Sequence, residues 1–246
     1  MKLTKVVAST VFLAALSLSA GSAVSHAAGL GTSADPAQGR ASIEFEDNDN
    51  PTWPKDPTDP TKPNPNLPDG NNEETGTMGP LSLDVYPSYF DFGIQKIDMN
   101  GGTYESQKTG NHYLQITDNR DSLGGWSITA SRTEFSDGSN ELTGSQLYIP
   151  EGEARNTLAA DPAAVDSSIT VADATPNGEF ANMHEIGTNE LTLVGAIDDL
   201  NNLIGKGTTT YNWDSSKELL HVPAGAAKKG TFTSTINWVL SATPMV

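Results

Sequence analysis

Cysteine is absent from this chain of 246 residues. Stability is therefore expected to come from a hydrophobic core rather than from disulfide bonds, and thiol nucleophiles are excluded. A lipid anchor attached to a cysteine after leader cleavage is excluded as well. No Leu-Pro-x-Thr-Gly sorting motif occurs near the C-terminus. If the protein stays on a cell, we expect it to be held there non-covalently.

Basic residues are scarce. Lys and Arg number 14 against 31 Asp and Glu, which gives a formal net charge of −17. That balance excludes a basic groove for nucleic acid. It also excludes binding to anionic lipid through a polybasic patch, because the one adjacent basic pair, Lys228-Lys229, is too small.

Long hydrophobic runs are also missing. The apolar run Val6–Leu18 is too short to cross a bilayer as a helix. It follows Lys2 and Lys5 and precedes Ser25-His26-Ala27, a small-x-Ala cleavage site. Residues 1–27 are therefore predicted to be a secretory signal peptide, and the mature protein is not expected to insert into the membrane.

Recognised catalytic and metal-binding patterns are absent. The sequence has no G-x-S-x-G elbow, no H-E-x-x-H and no phosphate loop. His112 and His184 are expected in loops and His221 in a strand, and none has metal-ligand spacing from another. The sequence therefore predicts no catalytic residue, no cofactor and no metal.

The composition divides the chain into four parts. After the signal peptide, residues 28–46 form a lead-in that ends in the alternating strand Ala41–Glu46. Residues 47–80 are rich in Pro, Asp and Asn, with a proline at every third position from Pro51 to Pro63. This stretch fits either a polyproline II rod, serving as a spacer or partner ligand, or a long solvated loop within one domain. The loop is preferred because the preceding strand is assigned to the domain that follows, residues 81–246.

The fourth part, residues 81–246, is predicted to be all-β. Two short helices are expected, at Glu151–Ala160 and Gly195–Ile204. The predicted strands are Leu81–Tyr86, Tyr113–Thr117, Trp126–Arg132, Gln146–Ile149, Ser168–Ala172, Glu190–Val194, Glu218–Val222 and Thr231–Ala242. Many short strands separated by glycine turns indicate a single antiparallel β-sandwich, of immunoglobulin-like or Greek-key-like type, with the Pro-rich segment as an insertion loop.

Two strands repeat one pattern. Trp126 and Ile128 are two residues apart, and so are Trp238 and Leu240, in a chain with four Trp. Side chains at i and i+2 of a strand share a face, so each motif presents a Trp beside a branched aliphatic. A Trp in this position either fills a sandwich core or packs against the C–H faces of a sugar, and the two roles are compatible.

With these motifs the chain resembles the WxL-domain surface proteins of low-GC Gram-positive bacteria. The segments Gly79–Leu83, Ser88–Gly93 and Leu114–Gly125 agree, as does Phe232 before the distal motif. The distal motif matches fully, whereas Ile128 stands where the family usually has Leu. The resemblance implies a secreted protein attached non-covalently to the cell wall, with peptidoglycan as the ligand and Trp126, Ile128, Trp238 and Leu240 as the wall-binding motif.

Other residues could contact a glycan directly. Trp213 beside Tyr211 has polar surroundings, as does Trp53. Asp118 and Asp121 precede the proximal motif, where they could accept sugar hydroxyls, bind Ca²⁺ or act as glycosidase acids, or simply cap a turn. A different function is that of an interaction subunit, which docks onto other cell-surface proteins and binds the wall only secondarily.

Overall fold

The computed structural model describes residues 32–122, 124–175, 178–197, 199 and 202–245. The expected signal peptide lies outside these residues. The chain divides into two compact units after Phe45. The expected strand Ala41–Glu46 is not formed, since its apolar side chains bury nothing: Ile43 is 77% exposed and Phe45 85%. No helix in the described part of the chain is long and apolar enough to span a membrane.

The regular secondary structure of the unit that begins at Glu46 is almost entirely β-strand. One 3₁₀ helix, Ser215–Lys217, accompanies the strands. In chain order the described strands are β1 (Lys55–Asp56), β2 (Asp59–Pro63), β3 (Asn72–Glu74), β4 (Leu81–Pro87), β5 (Gly102–Glu105), β6 (Asn111–Asp118), β7 (Trp126–Arg132), β8 (Gln146–Pro150), β9 (Glu153–Asn156), β10 (Thr170–Val171), β11 (Met183–Ile186), β12 (Leu191–Ala196), β13 (Gly207–Asp214), β14 (Leu219–Val222) and β15 (Ile236–Ser241).

The strands form three larger sheets and one hairpin, with antiparallel pairing throughout. The orders are β3-β4-β6-β13-β9, β11-β8-β14-β5, β10-β12-β7-β15 and β1-β2. All three larger sheets contribute to one hydrophobic core, for example through Ile116, Ile149 and Ile128, which are fully buried. The predicted all-β antiparallel class is therefore confirmed. We call β10-β12-β7-β15 the motif sheet, because it contains both Trp motifs.

Hydrophobic alternation located most strands but not their lengths. Ser168–Ala172 is reduced to the two residues of β10, and Thr231–Ala242 to the six of β15. Both helix predictions are wrong in the described residues. Within Glu151–Ala160 the strand β9 pairs with β13, so tertiary pairing overrides a weak helical preference. Within Gly195–Ile204 the first two residues complete β12.

The Pro-rich segment differs from both forms expected for it. Lys55–Pro63 folds as the β1-β2 hairpin, with Pro54 and Pro60 buried. The Gln115 side chain holds the hairpin: its Oε1 accepts from the Lys55 N–H at 2.7 Å, and its Nε2 donates to the Trp53 carbonyl at 3.2 Å. Over this stretch the chain is neither a rod nor a solvated loop, because its two strands pair with each other and the buried Gln115 amide binds two of its backbone groups. The domain boundaries at residues 27, 46 and 80 stay predictions.

Asp84 and His184 are both buried without an ion partner in the described part of the chain. Asp84 accepts hydrogen bonds from Ser82 Oγ (2.5 Å), Thr117 Oγ1 (2.6 Å) and Gln115 Nε2 (3.0 Å). Burial still raises the pKa of the Asp84 carboxyl. His184 is 2% exposed with neither ring nitrogen hydrogen-bonded, and burial lowers its pKa. The structure places His184 in β11 and His112 in β6, whereas the sequence predicted loops for both.

Candidate functional site

The two Trp motifs lie side by side. Strand β15 pairs with β7 along its whole length, with Leu240 opposite Ile128 and Trp238 opposite Ala130. Residues opposite one another in an antiparallel pair share a face, so Trp126, Ile128, Trp238 and Leu240 all point to the same side of the motif sheet. Segments that are far apart in sequence therefore form one continuous apolar surface against the core.

Trp126 is wholly a core residue. Its side chain is 0% exposed, and its indole N–H donates to the Gly205 carbonyl at 3.0 Å. Gly205 has φ +72°, and a Cβ there would lie 2.2 Å from Ala196 Cβ and 2.8 Å from the indole nitrogen. A glycine is thus required for the backbone to approach the ring. Ile128 is equally buried, so the proximal motif offers no side chain to solvent.

The distal motif lies nearer the surface. Trp238 and Leu240 are half-buried and pack on the same core, while Val239 between them is 48% exposed. The Trp238 indole N–H donates to the Pro87 carbonyl at 3.3 Å, and its ring centroid lies 6.2 Å from that of Trp213. The alternation predicted for this strand is thereby confirmed, and of the four motif residues only those on β15 reach solvent.

The aromatic pair expected to contact a glycan is buried, which corrects that prediction. Trp213 is 2% exposed and Tyr211 0%. The Trp213 indole N–H donates to Glu218 Oε1 at 2.8 Å, and the Tyr211 hydroxyl accepts from the Gly152 N–H at 2.9 Å. Burial also raises the pKa of Tyr211. Polar neighbours in the sequence were misleading, since the indole and phenol groups find their partners inside the core.

Asp118 holds the loop before the proximal motif. It is 1% exposed and accepts two hydrogen bonds from the Arg120 guanidinium, at 2.9 and 2.8 Å, and one from Lys206 Nζ at 3.1 Å. The Asp118 carboxylate is therefore paired with two basic side chains. Asp121 is exposed in the same loop. The structure thus does not bring the two predicted carboxylates together as an acid pair.

A buried polar chain was missed by the sequence reasoning. His112 Nδ1 lies 2.6 Å from Glu218 Oε1, which also accepts from Trp213. Both side chains of the His–Glu pair are 0% exposed, so no external molecule reaches them. The register of β6 against β13 sets His112 opposite Trp213, and because this pairing joins distant segments no local sequence signal indicated the group. Among the described residues no cluster of three or more His, Asp or Glu could hold a metal ion.

Comparison with known proteins gives one result. The family model described as "WxL domain surface cell wall-binding" matches residues 32–244. No curated protein and no solved structure matches the chain.

Proposed function

Because the chain belongs to the WxL-domain family, a family of surface cell wall-binding domains, we propose that it attaches non-covalently to peptidoglycan. The host is proposed to be a Gram-positive bacterium of the Lactobacillales type. The family places the protein at the cell surface. Wall binding is a non-catalytic role, and the proposal involves no covalent step.

The observation that supports this proposal is the pairing of the two motif strands. It gathers all four motif residues on one face of the motif sheet and leaves only the β15 copy at the surface. Trp126 and Ile128 are proposed to shape the sheet from below. Trp238 and Leu240, with the backbone of β15, are proposed to form the contact with the wall.

Electrostatics constrains how the contact is made. With a net charge of −17 the protein is repelled by the anionic polymers of a Gram-positive wall, so attraction is proposed to be short-range and neutral. Added salt screens the repulsion and should therefore strengthen binding. If salt instead strips the protein from walls, the attraction is ionic.

Co-sedimentation with peptidoglycan freed of teichoic acid tests the proposal. Wild type should pellet, and Trp238→Ala should pellet less while remaining folded in a thermal melt. Trp213→Ala, which changes a buried ring on a different sheet, is the matched control: any loss of pelleting should follow its loss of stability. Failure of folded wild type to pellet would refute peptidoglycan binding and favour docking onto other surface proteins.

A further inference from the structure

The edge strands of this protein differ in how well they are protected against pairing with another chain. An unpaired strand edge is a template for further strands, and proteins usually block it with charge, proline or shortness. Strands β3, β5, β9 and β11 carry Glu residues at the edges of their sheets, and β10 is only two residues long. In contrast, β15 is a six-residue edge strand without charge or proline.

The absence of charge extends well beyond β15. From Gly230 to Val246 the sequence contains no Asp, Glu, Lys or Arg, although the net charge of the chain is −17. No other strand pairs with the outer edge of β15 in the part of the chain that the structure describes. This edge is therefore the unprotected one among the described strands.

The register shows which backbone groups face outward. The Thr133 N–H donates to the Thr235 carbonyl at 2.9 Å, which makes these two residues a hydrogen-bonded pair. Such pairs alternate along antiparallel strands, so Asn237, Val239 and Ser241 direct their backbone groups toward β7. The N–H and C=O groups of Ile236, Trp238 and Leu240 consequently point away from the sheet. The motif residues thus place their side chains toward the core and their peptide groups on the open edge.

We propose that the outer edge of β15 binds the peptide part of peptidoglycan as an added antiparallel strand. This inference rests on the proposed function and specifies the ligand of the same site. A row of backbone donors and acceptors is complementary to an extended peptide, because main-chain hydrogen bonds supply the affinity in strand addition. A sugar would need an exposed aromatic face, and of the two rings on the motif strands Trp126 is fully buried and Trp238 is half-buried.

Size and charge fit such a ligand. The six residues of β15 extend over roughly 20 Å, enough to pair with a short peptide along its length. The three outward-facing residues offer three N–H and three C=O groups. Since the edge is uncharged, it brings no carboxylate against the peptide, in a protein whose surface otherwise favours cations.

Amide hydrogen exchange, followed by NMR on the ¹⁵N-labelled protein, tests the inference. The probes are a peptidoglycan disaccharide carrying its peptide, the same disaccharide without the peptide, and the peptide alone. At a probe concentration about ten times its Kd, exchange of the Ile236, Trp238 and Leu240 amides should slow about tenfold with both peptide-bearing probes. The inward amides of Asn237 and Val239 serve as the internal control, because β7 already protects them.

A substitution provides an independent readout. Ile236→Pro removes one outward N–H without removing a bond to β7, and proline is tolerated at such edge positions. It should weaken binding of the peptide-bearing disaccharide roughly two- to tenfold, the value of one hydrogen bond. Ile236→Val keeps the N–H and should bind like wild type.

Each remaining outcome overturns the inference in a recognisable way. Equal protection by the peptide-free disaccharide would show that the glycan is the ligand. Protection of the outward amides that grows with protein concentration alone would show that a second copy of the chain covers the edge. If wild type pellets with whole peptidoglycan while none of the probes protects these amides, wall binding stands and the strand-addition mode is wrong. If it does not pellet at all, the proposed function fails first.

Discussion

Replacement of Trp126 by alanine should destabilise the fold and not only weaken binding. The indole is fully buried and bonded to the Gly205 carbonyl. Removal of a large aromatic from a core costs about 3–5 kcal/mol, and an unpaired buried carbonyl adds about 1–3 kcal/mol. We therefore expect a loss of about 4 kcal/mol or more. In a domain of this size that lowers Tm by roughly 10–15 °C.

Scanning calorimetry of wild type, Trp126→Ala, Trp126→Phe and Trp238→Ala gives the measurement. Trp126→Phe keeps most of the ring and should lose only part of the stability. Trp238→Ala, from the half-buried copy, should cost less than half as much as Trp126→Ala because less apolar surface leaves the core. The reasoning is refuted if Trp126→Ala melts like wild type yet no longer pellets with peptidoglycan, since Trp126 would then act on the ligand and not on the fold.

Three other predictions concern buried titratable groups. Asp118→Ala leaves Arg120 and Lys206 without their carboxylate and should lower the free energy of unfolding in urea by about 3 kcal/mol or more. Adding Lys206→Met to that variant should restore part of the lost stability, whereas additive losses would argue against coupling between the two residues. Because the pKa of His184 is lowered in the folded state, the unfolded chain binds a proton at a higher pH than the folded protein, and stability should fall as the pH drops below about 6.5. In urea unfolding from pH 7 to 5, His184→Leu should show a smaller fall than wild type. The raised pKa of Asp84 gives the opposite pH dependence. Its contribution to the free energy of unfolding is present below about pH 3.8 and is lost as the pH rises through the pKa of the folded state. Asp84→Asn should therefore lose less stability than wild type between pH 4 and pH 7, and parallel curves of stability against pH would contradict this.

The sequence predicted the fold class well because period-two alternation depends only on neighbouring residues. Leu81–Tyr86 and Trp126–Arg132 lie within a residue of β4 and β7. Alternation failed where pairing decided the outcome. Ala41–Glu46 alternates but has no strand in the structure, whereas the Pro-rich Lys55–Pro63 forms a hairpin that the Gln115 side chain fastens through the Lys55 N–H.

The sequence identified the residues of the candidate site but not how they are arranged in space. The four motif residues were identified from spacing alone, yet nothing in the spacing indicates that Leu240 lies opposite Ile128. The burial of individual side chains was harder to predict than their positions in strands. Trp213 and Tyr211 were expected at the surface because their sequence neighbours are polar, and the structure instead pairs their polar atoms with Glu218 and Gly152 inside the core. Contacts between distant segments cannot be inferred from local composition.

The pairing of β7 with β15 also determines when the motif sheet is complete during synthesis and export. Contacts between segments this far apart in sequence form slowly, since a long loop must close before they contribute to stability. The motif sheet lacks its edge strand until Ile236–Ser241 has been synthesised and has crossed the membrane. If the paired motifs form the wall contact, as proposed, a partly exported chain has no complete contact, and capture by the wall can begin only after residues up to Ser241 have emerged. Under that proposal the position of β15 late in the chain delays attachment until export has reached Ser241.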